Sequence, residues 1–218
     1  MELNWMYIYI AFTKTNEHDE NNENMKARST MKTKIISLKW WGEIMVTRRM
    51  GENIRREIVS DLSAGDEPES LLLDFSGLSI MDYSCADELV ARLAVELQNS
   101  LHGDRFLLLV GLDETLRENV TVALKQRGLA LPYLQQGSEP SLLFLGDVKP
   151  YLQSALELLY TRGELTARDL ADSEDIAINT ASNRLVELAK SGLAYRHSDR
   201  VASGGKQYQY LSILPSNN

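Results

Sequence analysis

The chain has 218 residues, of which 44% are hydrophobic and 25% charged, as in ordinary globular proteins. A net charge of −8 excludes a protein coated in basic surface, so any contact with nucleic acid must come from a local patch. The single cysteine, Cys85, excludes an intramolecular disulfide and a cysteine-rich metal site, and we expect neither a metal nor a cofactor.

The first 30 residues contain few patterned apolar residues that could be buried in a protein core. Residues 1–12 are apolar but too short to span a bilayer, and Glu2 stands where a secretory signal carries Lys or Arg. Residues 13–30 are rich in Asn and Glu, a composition typical of disordered segments. We therefore interpret residues 1–30 as a disordered tail and predict a cytoplasmic protein without a membrane anchor.

Alternating strands and helices are predicted over residues 33–146. Two short strands, residues 34–38 and 43–47, flank Trp40 and Gly42 and indicate a hairpin. Short apolar runs predict buried strands at residues 70–75, 105–112 and 142–145. Apolar residues spaced three and four apart predict helices at residues 51–62, 83–101 and 113–127, the last ended by Gly128. This alternation predicts an α/β fold with a mixed or mainly parallel sheet covered by helices.

One motif lies where a predicted strand turns into the strongest predicted helix. The segment from Asp74 to Leu89 reads DFSGLSIMDYSCADEL. It resembles the STAS domain of anti-sigma factor antagonists, in which a strand ending in Asp-x-Ser-Gly leads to a Met-Asp-Ser-Ser-Gly-like turn that opens a helix. The segment is closer still to a STAS-like family of unknown function. The resemblance implies a STAS-like domain over residues 31–148 and a protein partner such as a histidine-kinase-like anti-sigma factor.

The start of this helix is a candidate phosphorylation or partner site, formed by Asp82, Tyr83 and Ser84. In the antagonists that the motif resembles, a serine here is phosphorylated by the partner kinase. Aligned on Asp82, this chain has Tyr83 at that position, followed by Ser84. Ser84 and Asp87 also have the S-x-x-D spacing of a helix cap. A cap, a phosphoacceptor and another partner contact are therefore the alternatives for Ser84.

The carboxylates of the motif do not predict catalysis. Asp74, Asp82, Asp87 and Glu88 have no nucleophile, base or metal ligand beside them in the sequence. We expect no catalytic residues and a protein that is not an enzyme.

A second domain is predicted over residues 149–218, beginning near Pro150. Thr166 and Asp169 have the spacing of a capping box, which opens a short helix. A helix over residues 178–191 follows, with Ala181, Leu185 and Leu188 as its buried side and Gly192 as its stop. Strands at residues 193–197 and 207–213 then predict a hairpin.

This arrangement resembles the winged helix-turn-helix of MarR-like bacterial repressors. The phrase Thr-Ala-Ser-Asn-Arg-Leu over residues 180–185 and the following Leu-x-x-x-Gly-Leu carry the resemblance, while Ala177 departs from it by lacking a capping hydroxyl. The resemblance implies that the helix over residues 178–191 reads DNA in the major groove. Its implied DNA-binding residues are Asn179, Thr180 and Asn183 for base edges, Ser182 and Arg184 for phosphates, and Arg196, Arg200 and Lys206 on the wing.

These patterns favour a bacterial transcription regulator that binds operator DNA as a dimer through its winged helix and is controlled by a STAS-like domain. From Pro150 onward, however, seven Lys and Arg residues stand against eight Asp and Glu residues, so this domain is not basic. The alternative is an adaptor that binds no DNA and acts in an anti-sigma and kinase partner-switching pathway.

Overall fold

The computed structural model describes residues 31–62, 67–136, 141–200 and 206–215. Its strands are β1 (Lys32–Ser37), β2 (Ile44–Met45), β3 (Glu69–Asp74), β4 (Ile80–Met81), β5 (Arg105–Val110), β6 (Ala130–Gln135), β7 (Ser141–Gly146), β8 (Glu164–Thr166), β9 (Tyr195–Arg200) and β10 (Lys206–Leu211). Its helices are α1 (Arg48–Ser60), α2 (residues 83–98), α3 (Glu114–Gln126), α4 (Pro150–Arg162), α5 (Ala167–Glu174) and α6 (Ile178–Lys190). The predicted α/β class with a mixed, helix-covered sheet is confirmed.

A five-stranded sheet in the order β1-β3-β5-β6-β7 forms the centre of the fold. The pairs β1–β3, β3–β5 and β5–β6 are parallel, and β6–β7 is antiparallel. Both faces of β3 and β5 are buried, which explains why these strands are continuous apolar runs and do not alternate with polar residues. Successive side chains point to opposite faces, so Leu71 and Leu73 join one hydrophobic cluster and Leu72 joins the other.

Helices α1, α2 and α3 cover the first face of the sheet. Their apolar sides meet the odd-numbered leucines of β3 and β5 in one hydrophobic cluster. The middle turn of α2, Asp87–Ala91, is a π-helix. Gly51 of α1 faces this helix closely, because a Cβ at Gly51 would lie 2.7 Å from the carbonyl oxygen of Cys85. Cys85 is fully buried, and burial raises the pKa of its thiol to about 12, so it remains protonated and unreactive.

The C-terminal residues cover the second face. Helices α4, α5 and α6 pack beside an antiparallel sheet in the order β8-β10-β9, and their leucines share one cluster with Leu72, Leu108 and Val110 of the central sheet. The Ser70 hydroxyl, buried in β3, donates to the carbonyl oxygen of Ile213 at 2.6 Å. The two regions predicted as domains therefore share a common hydrophobic core. The domain boundary predicted between residues 148 and 149 stays a prediction.

The hairpin predicted around Trp40 and Gly42 is wrong. β1 pairs in parallel with β3, and β2 pairs in parallel with β4. Between β1 and β2 a 3-10 turn, Leu38–Trp41, redirects the chain, and the fully buried Leu38 anchors that turn in the core. Pairing with the buried strand β3 covers more apolar surface than an isolated two-stranded hairpin would, which is why the longer-range partner is preferred.

The other predicted elements agree with the structure within a few residues, and three strands were not predicted. β4 and β8 have two and three residues, too few for a recognisable pattern. β6 contains Pro132, a residue that argues against a strand inside a sheet. The capping box of Thr166 and Asp169, the positive φ of +64° at Gly128 and the antiparallel β9–β10 pair are confirmed. The predicted tail, residues 1–30, lies outside the described residues.

Candidate functional site

The solvent-facing side of α6 brings the predicted base-reading residues together. Ala181, Leu185 and Leu188 are buried, which fixes the orientation of the helix. Asn179, Thr180 and Asn183 are consequently exposed, and Ser182 is half-buried. The helix begins after Ala177, whose side chain provides no capping hydrogen bond. This face therefore presents amides and hydroxyls that can both donate and accept hydrogen bonds.

The position of α6 is set by its contacts with α5. Asp175 ends α5 in the left-handed conformation, and the Ile176 amide donates to the Ala171 carbonyl at 3.1 Å. Arg184 of α6 forms an ion pair with Glu174 of α5, and the two side chains are only 22% and 16% exposed. Arg184, predicted to contact phosphate, is thus engaged within the protein, where it fixes the angle between the helices.

The β9–β10 hairpin presents an exposed cation next to an aromatic ring. The guanidinium carbon of Arg196 lies 3.7 Å from the centre of the Tyr208 ring, a distance typical of a cation–π contact. Arg196 itself is exposed. Arg200 and Lys206 are paired across the two strands. Their side chains, and residues 201–205 between them, lie outside the described residues.

The single carboxylate of α6 is also paired. Lys149 forms an ion pair with Glu187, and the Tyr151 hydroxyl donates to Glu187 Oε2 at 2.7 Å. The hydrogen bond from Lys149 is the main cause that lowers the pKa of Glu187. The outward surface of α6 therefore carries no uncompensated negative charge of its own.

The Asp-x-Ser-Gly motif forms a tight turn at the end of β3. Asp74 Oδ1 accepts a hydrogen bond from the Ser76 amide at 2.9 Å. Gly111, after β5, has a φ of +76° and approaches this turn so closely that a Cβ there would lie 2.7 Å from the Ser76 nitrogen. The motif thus shapes the backbone at the carboxyl end of the sheet.

The cap of α2 is Asp82, and the prediction that Ser84 caps this helix is wrong. Asp82 Oδ1 accepts from the Cys85 amide at 2.7 Å, and its Oδ2 accepts from the Thr47 amide at 3.0 Å. Ser84 is already inside the helix, where its hydroxyl cannot reach the first free amides. Tyr83 donates its hydroxyl hydrogen to Gln126, and Ser84 is half-buried. Of the three candidate residues at this site, Asp82 has a clear structural role.

An exposed apolar patch adjoins this cap. Ile44 and Ile80 are direct neighbours in the β2–β4 pair and are 56% and 50% exposed. Trp40, in the preceding turn, is 86% exposed. We refer to the paired Ile44 and Ile80 as the apolar patch. Grouped exposed residues of this kind are typical of protein contact sites.

Two buried carboxylates and the arginines around them were missed by the sequence-based predictions. We call this group the acid–arginine cluster; its members are Asp87, Glu88, Arg48, Arg55, Arg92 and Arg127. Arg127 Nε donates to Asp87 Oδ1 at 2.6 Å, and Arg55 Nη2 donates to Glu88 Oε1 at 3.0 Å. Arg92 lies four residues after Glu88 on α2, but Arg48, Arg55 and Arg127 lie 33 to 40 residues from their carboxylates in the chain, so no local pattern reveals the cluster.

The arginines hold both carboxylates ionised. The hydrogen bond from Arg127 is the main cause that lowers the pKa of Asp87. Burial is the largest influence on the pKa of Glu88 and acts to raise it. The hydrogen bonds from Arg55 and Arg48 and the charge of Arg92 outweigh burial and leave the pKa of Glu88 below its usual value. A carboxylate held by several guanidinium groups is a weak base, which suits structural support better than proton transfer.

In the described part of the chain, no three His, Cys, Asp or Glu side chains lie close enough together to hold a metal ion. None of the helices in those residues combines the length and apolar character needed to cross a bilayer. A comparison with models of known protein families and with curated proteins gave no match.

Replacing Asp82 by alanine is expected to lower the free energy of unfolding by about 1–2 kcal/mol, because the Cys85 amide loses its cap. Ser84→Ala is the matched control and should change it by less than about 0.5 kcal/mol, since Ser84 caps nothing. Urea denaturation of the two variants and the wild type measures both values. Equal effects of the two substitutions would contradict the assignment of the cap.

Proposed function

We propose that the protein is a bacterial transcription regulator that binds DNA through a C-terminal winged helix and is controlled by a STAS-like domain. The observation that carries this proposal is the joint exposure of Asn179, Thr180 and Asn183 on α6, next to the hairpin that carries Arg196. In this proposal α5 and α6 form the helix-turn-helix and β9–β10 forms the wing. Residues 149–218 would then be the DNA-binding domain.

The size and chemistry of α6 support insertion into the major groove, which is about 12 Å wide and admits one helix. Asparagine can bond adenine through two hydrogen bonds, and threonine can contact either a base edge or a thymine methyl group. Arg196 on the hairpin is suited to the sugar–phosphate backbone, which positions a protein without specifying sequence. Arg200 and Lys206, on the same hairpin, are proposed as further backbone contacts.

The net negative charge of the chain affects how strongly it could bind DNA. The acidic chain predicts weak non-specific attraction to DNA. Because Glu187 is paired with Lys149, the reading face itself need not repel phosphate. We therefore expect a protein that depends on a specific operator, and a dimer would help by contacting two half-sites.

The STAS-like assignment is proposed for residues 31–148. Support comes from the Asp74 turn, the Asp82-capped helix and the sheet beneath them, in the chain order that the resemblance implies. The proposed partner is a protein, with a histidine-kinase-like anti-sigma factor as the class that the resemblance suggests. A cytoplasmic location and the absence of enzymatic activity belong to the same proposal.

The test begins by selecting genomic DNA fragments that the full-length protein retains. On the selected site, Asn183→Ala should weaken binding by about 1–3 kcal/mol and relax the preference at one base pair. Arg196→Ala should weaken binding to all sequences alike and reduce the salt dependence by about one unit. Asn53→Ala, an exposed asparagine on α1, is the matched control and should leave binding unchanged. Gel-shift titrations at several salt concentrations measure all three.

The alternative is an adaptor in a kinase and anti-sigma pathway that binds no DNA. The apolar patch beside Asp82 favours this alternative, because it offers a protein contact surface at the candidate switch. Selection that enriches no DNA sequence, together with partner binding that is lost on Ile44→Lys, would favour the adaptor over the regulator.

A further inference from the structure

The two edges of the central sheet differ in how they are protected from pairing with another chain. β7 forms one edge and, among the described residues, pairs with β6 alone. Its sequence, SLLFLG, has no charged residue. Leu143 is 37% exposed, and Leu142 and Phe144 are half-buried. A six-residue apolar strand with one unpaired side is the arrangement that natural proteins usually avoid at an unpartnered edge.

The opposite edge has the usual protection. β1 carries Lys32 and Lys34, which form ion pairs with Glu67 and Asp61. Lysines on an edge strand oppose the addition of another strand, because their charges would have to lie against it. Among the residues that the structure describes, protection is therefore present at β1 and missing at β7.

A groove of about 480 Å³ runs beside β7 and strengthens this contrast. It lies between the strand and helix α4, and its lining joins the apolar side chains of Leu142, Phe144, Leu156 and Tyr160 with polar ones that include Asp147 and Glu157. The rings of Phe144 and Tyr160 meet edge to face, with their centres 5.6 Å apart. Apolar side chains from an added strand would find partners along this groove.

We infer that β7 pairs with β7 of a second copy of this chain, antiparallel and about a two-fold axis near Leu143. The two central sheets then form one continuous sheet. In this arrangement Leu142 of one copy lies beside Phe144 of the other, an aromatic and aliphatic pair that favours strand association.

A second copy fits this edge because a two-fold interface must be complementary to itself. The uncharged strand β7 can pair with a second β7 without bringing like charges together. Pairing of β1 with a second β1 would place lysines of the two copies next to each other. The nearest charge after β7, Asp147, is opposed by Lys125 Nζ at 4.0 Å. An interface centred on one strand is small, so we expect a dissociation constant of about 1–100 µM. The inference concerns self-association alone and does not depend on DNA binding.

Sedimentation equilibrium of the full chain tests the inference. The average mass should rise from the monomer value of 24.6 kDa toward twice that value as the protein concentration increases. Leu143→Lys should keep the chain monomeric, with at least a tenfold weaker association, because two ammonium groups would meet at the axis. Ile35→Lys, the same change at an exposed position of β1, is the matched control and should dimerise as the wild type does. Thermal denaturation of both variants verifies that they fold.

Hydrogen exchange provides an independent measurement. Exchange of the β7 amides should slow as the concentration of the full chain rises, while that of the β1 amides stays constant. A monomer at all concentrations, or a dimer that survives Leu143→Lys but is lost on Ile35→Lys, would overturn the inference. Protection of β7 in the monomer would also overturn it, since the edge would then be covered by another part of the same chain.

Discussion

Glu88→Gln is expected to lower the free energy of unfolding by about 3–5 kcal/mol, the range for breaking a buried ion pair on one side. The substitution preserves the volume of the side chain but removes one of the two carboxylates that pair with Arg55, which is only 9% exposed and keeps its ion pair with Glu96. Arg48 and Arg92 lose the same partner. Urea denaturation at pH 7 measures the change.

Glu52→Gln is the matched control for this prediction. Glu52 also pairs with an arginine, Arg56, but at the surface of α1. Exposed ion pairs contribute little, so this variant should change the free energy of unfolding by less than about 1 kcal/mol. A second comparison replaces both Arg55 and Glu88 by leucine, which should recover much of the loss because neither charge of this pair is then left without the other. A loss below about 1 kcal/mol for Glu88→Gln would mean that Glu96 alone satisfies Arg55.

The same cluster should make the protein sensitive to acid. The pKa values of Asp87 and Glu88 are lower in the folded chain than in the unfolded chain, so both groups bind protons more weakly when folded. Their contribution to stability is complete above the unfolded pKa of about 4 and is lost as the pH falls through the folded values. The wild type should therefore lose more stability than Glu88→Gln between about pH 5 and pH 3.

Gly51→Ala is expected to lower the free energy of unfolding by about 1–3 kcal/mol. Alanine is the better helix former by about 1 kcal/mol, so helix propensity alone predicts the opposite sign. The added Cβ would lie 2.7 Å from the Cys85 carbonyl oxygen, a backbone atom that cannot move without shifting α2. Urea denaturation again provides the value.

Asn53→Ala is the control for Gly51→Ala, because it places alanine at an exposed position two residues further along α1. It should be neutral or slightly stabilising. If Gly51→Ala were also stabilising, α1 and α2 would have to be farther apart than the structure places them.

Much of the fold was accessible from the sequence because its signals are local. The apolar runs of β3 and β5, the spacing in α2 and α6 and the capping box at Thr166 each act within a few residues. The exposed position of Asn179 and Asn183 followed from the buried stripe of α6. Base contact itself does not follow from exposure, and it therefore stays a proposal.

The errors arose where distant residues compete with local patterns. The turn-like sequence after β1 predicted a hairpin with the next strand. β1 pairs with β3 instead, because that pairing buries more apolar surface than a hairpin would. Ser84 has the spacing of a cap, but Asp82 stands at the residue where the helix actually begins. The acid–arginine cluster joins α1, α2 and the residue after α3, and no sequence spacing encodes such a meeting.

The shared core of the central sheet and the C-terminal helices has a consequence for biosynthesis. Leu72, Leu108 and Val110 share one hydrophobic cluster with residues of α4, α5 and α6, and the Ser70 hydroxyl donates to the Ile213 carbonyl. While the ribosome is still translating residues 150–213, one apolar face of the central sheet remains exposed to solvent. The nascent polypeptide would thus need a chaperone, or rapid completion, during that interval.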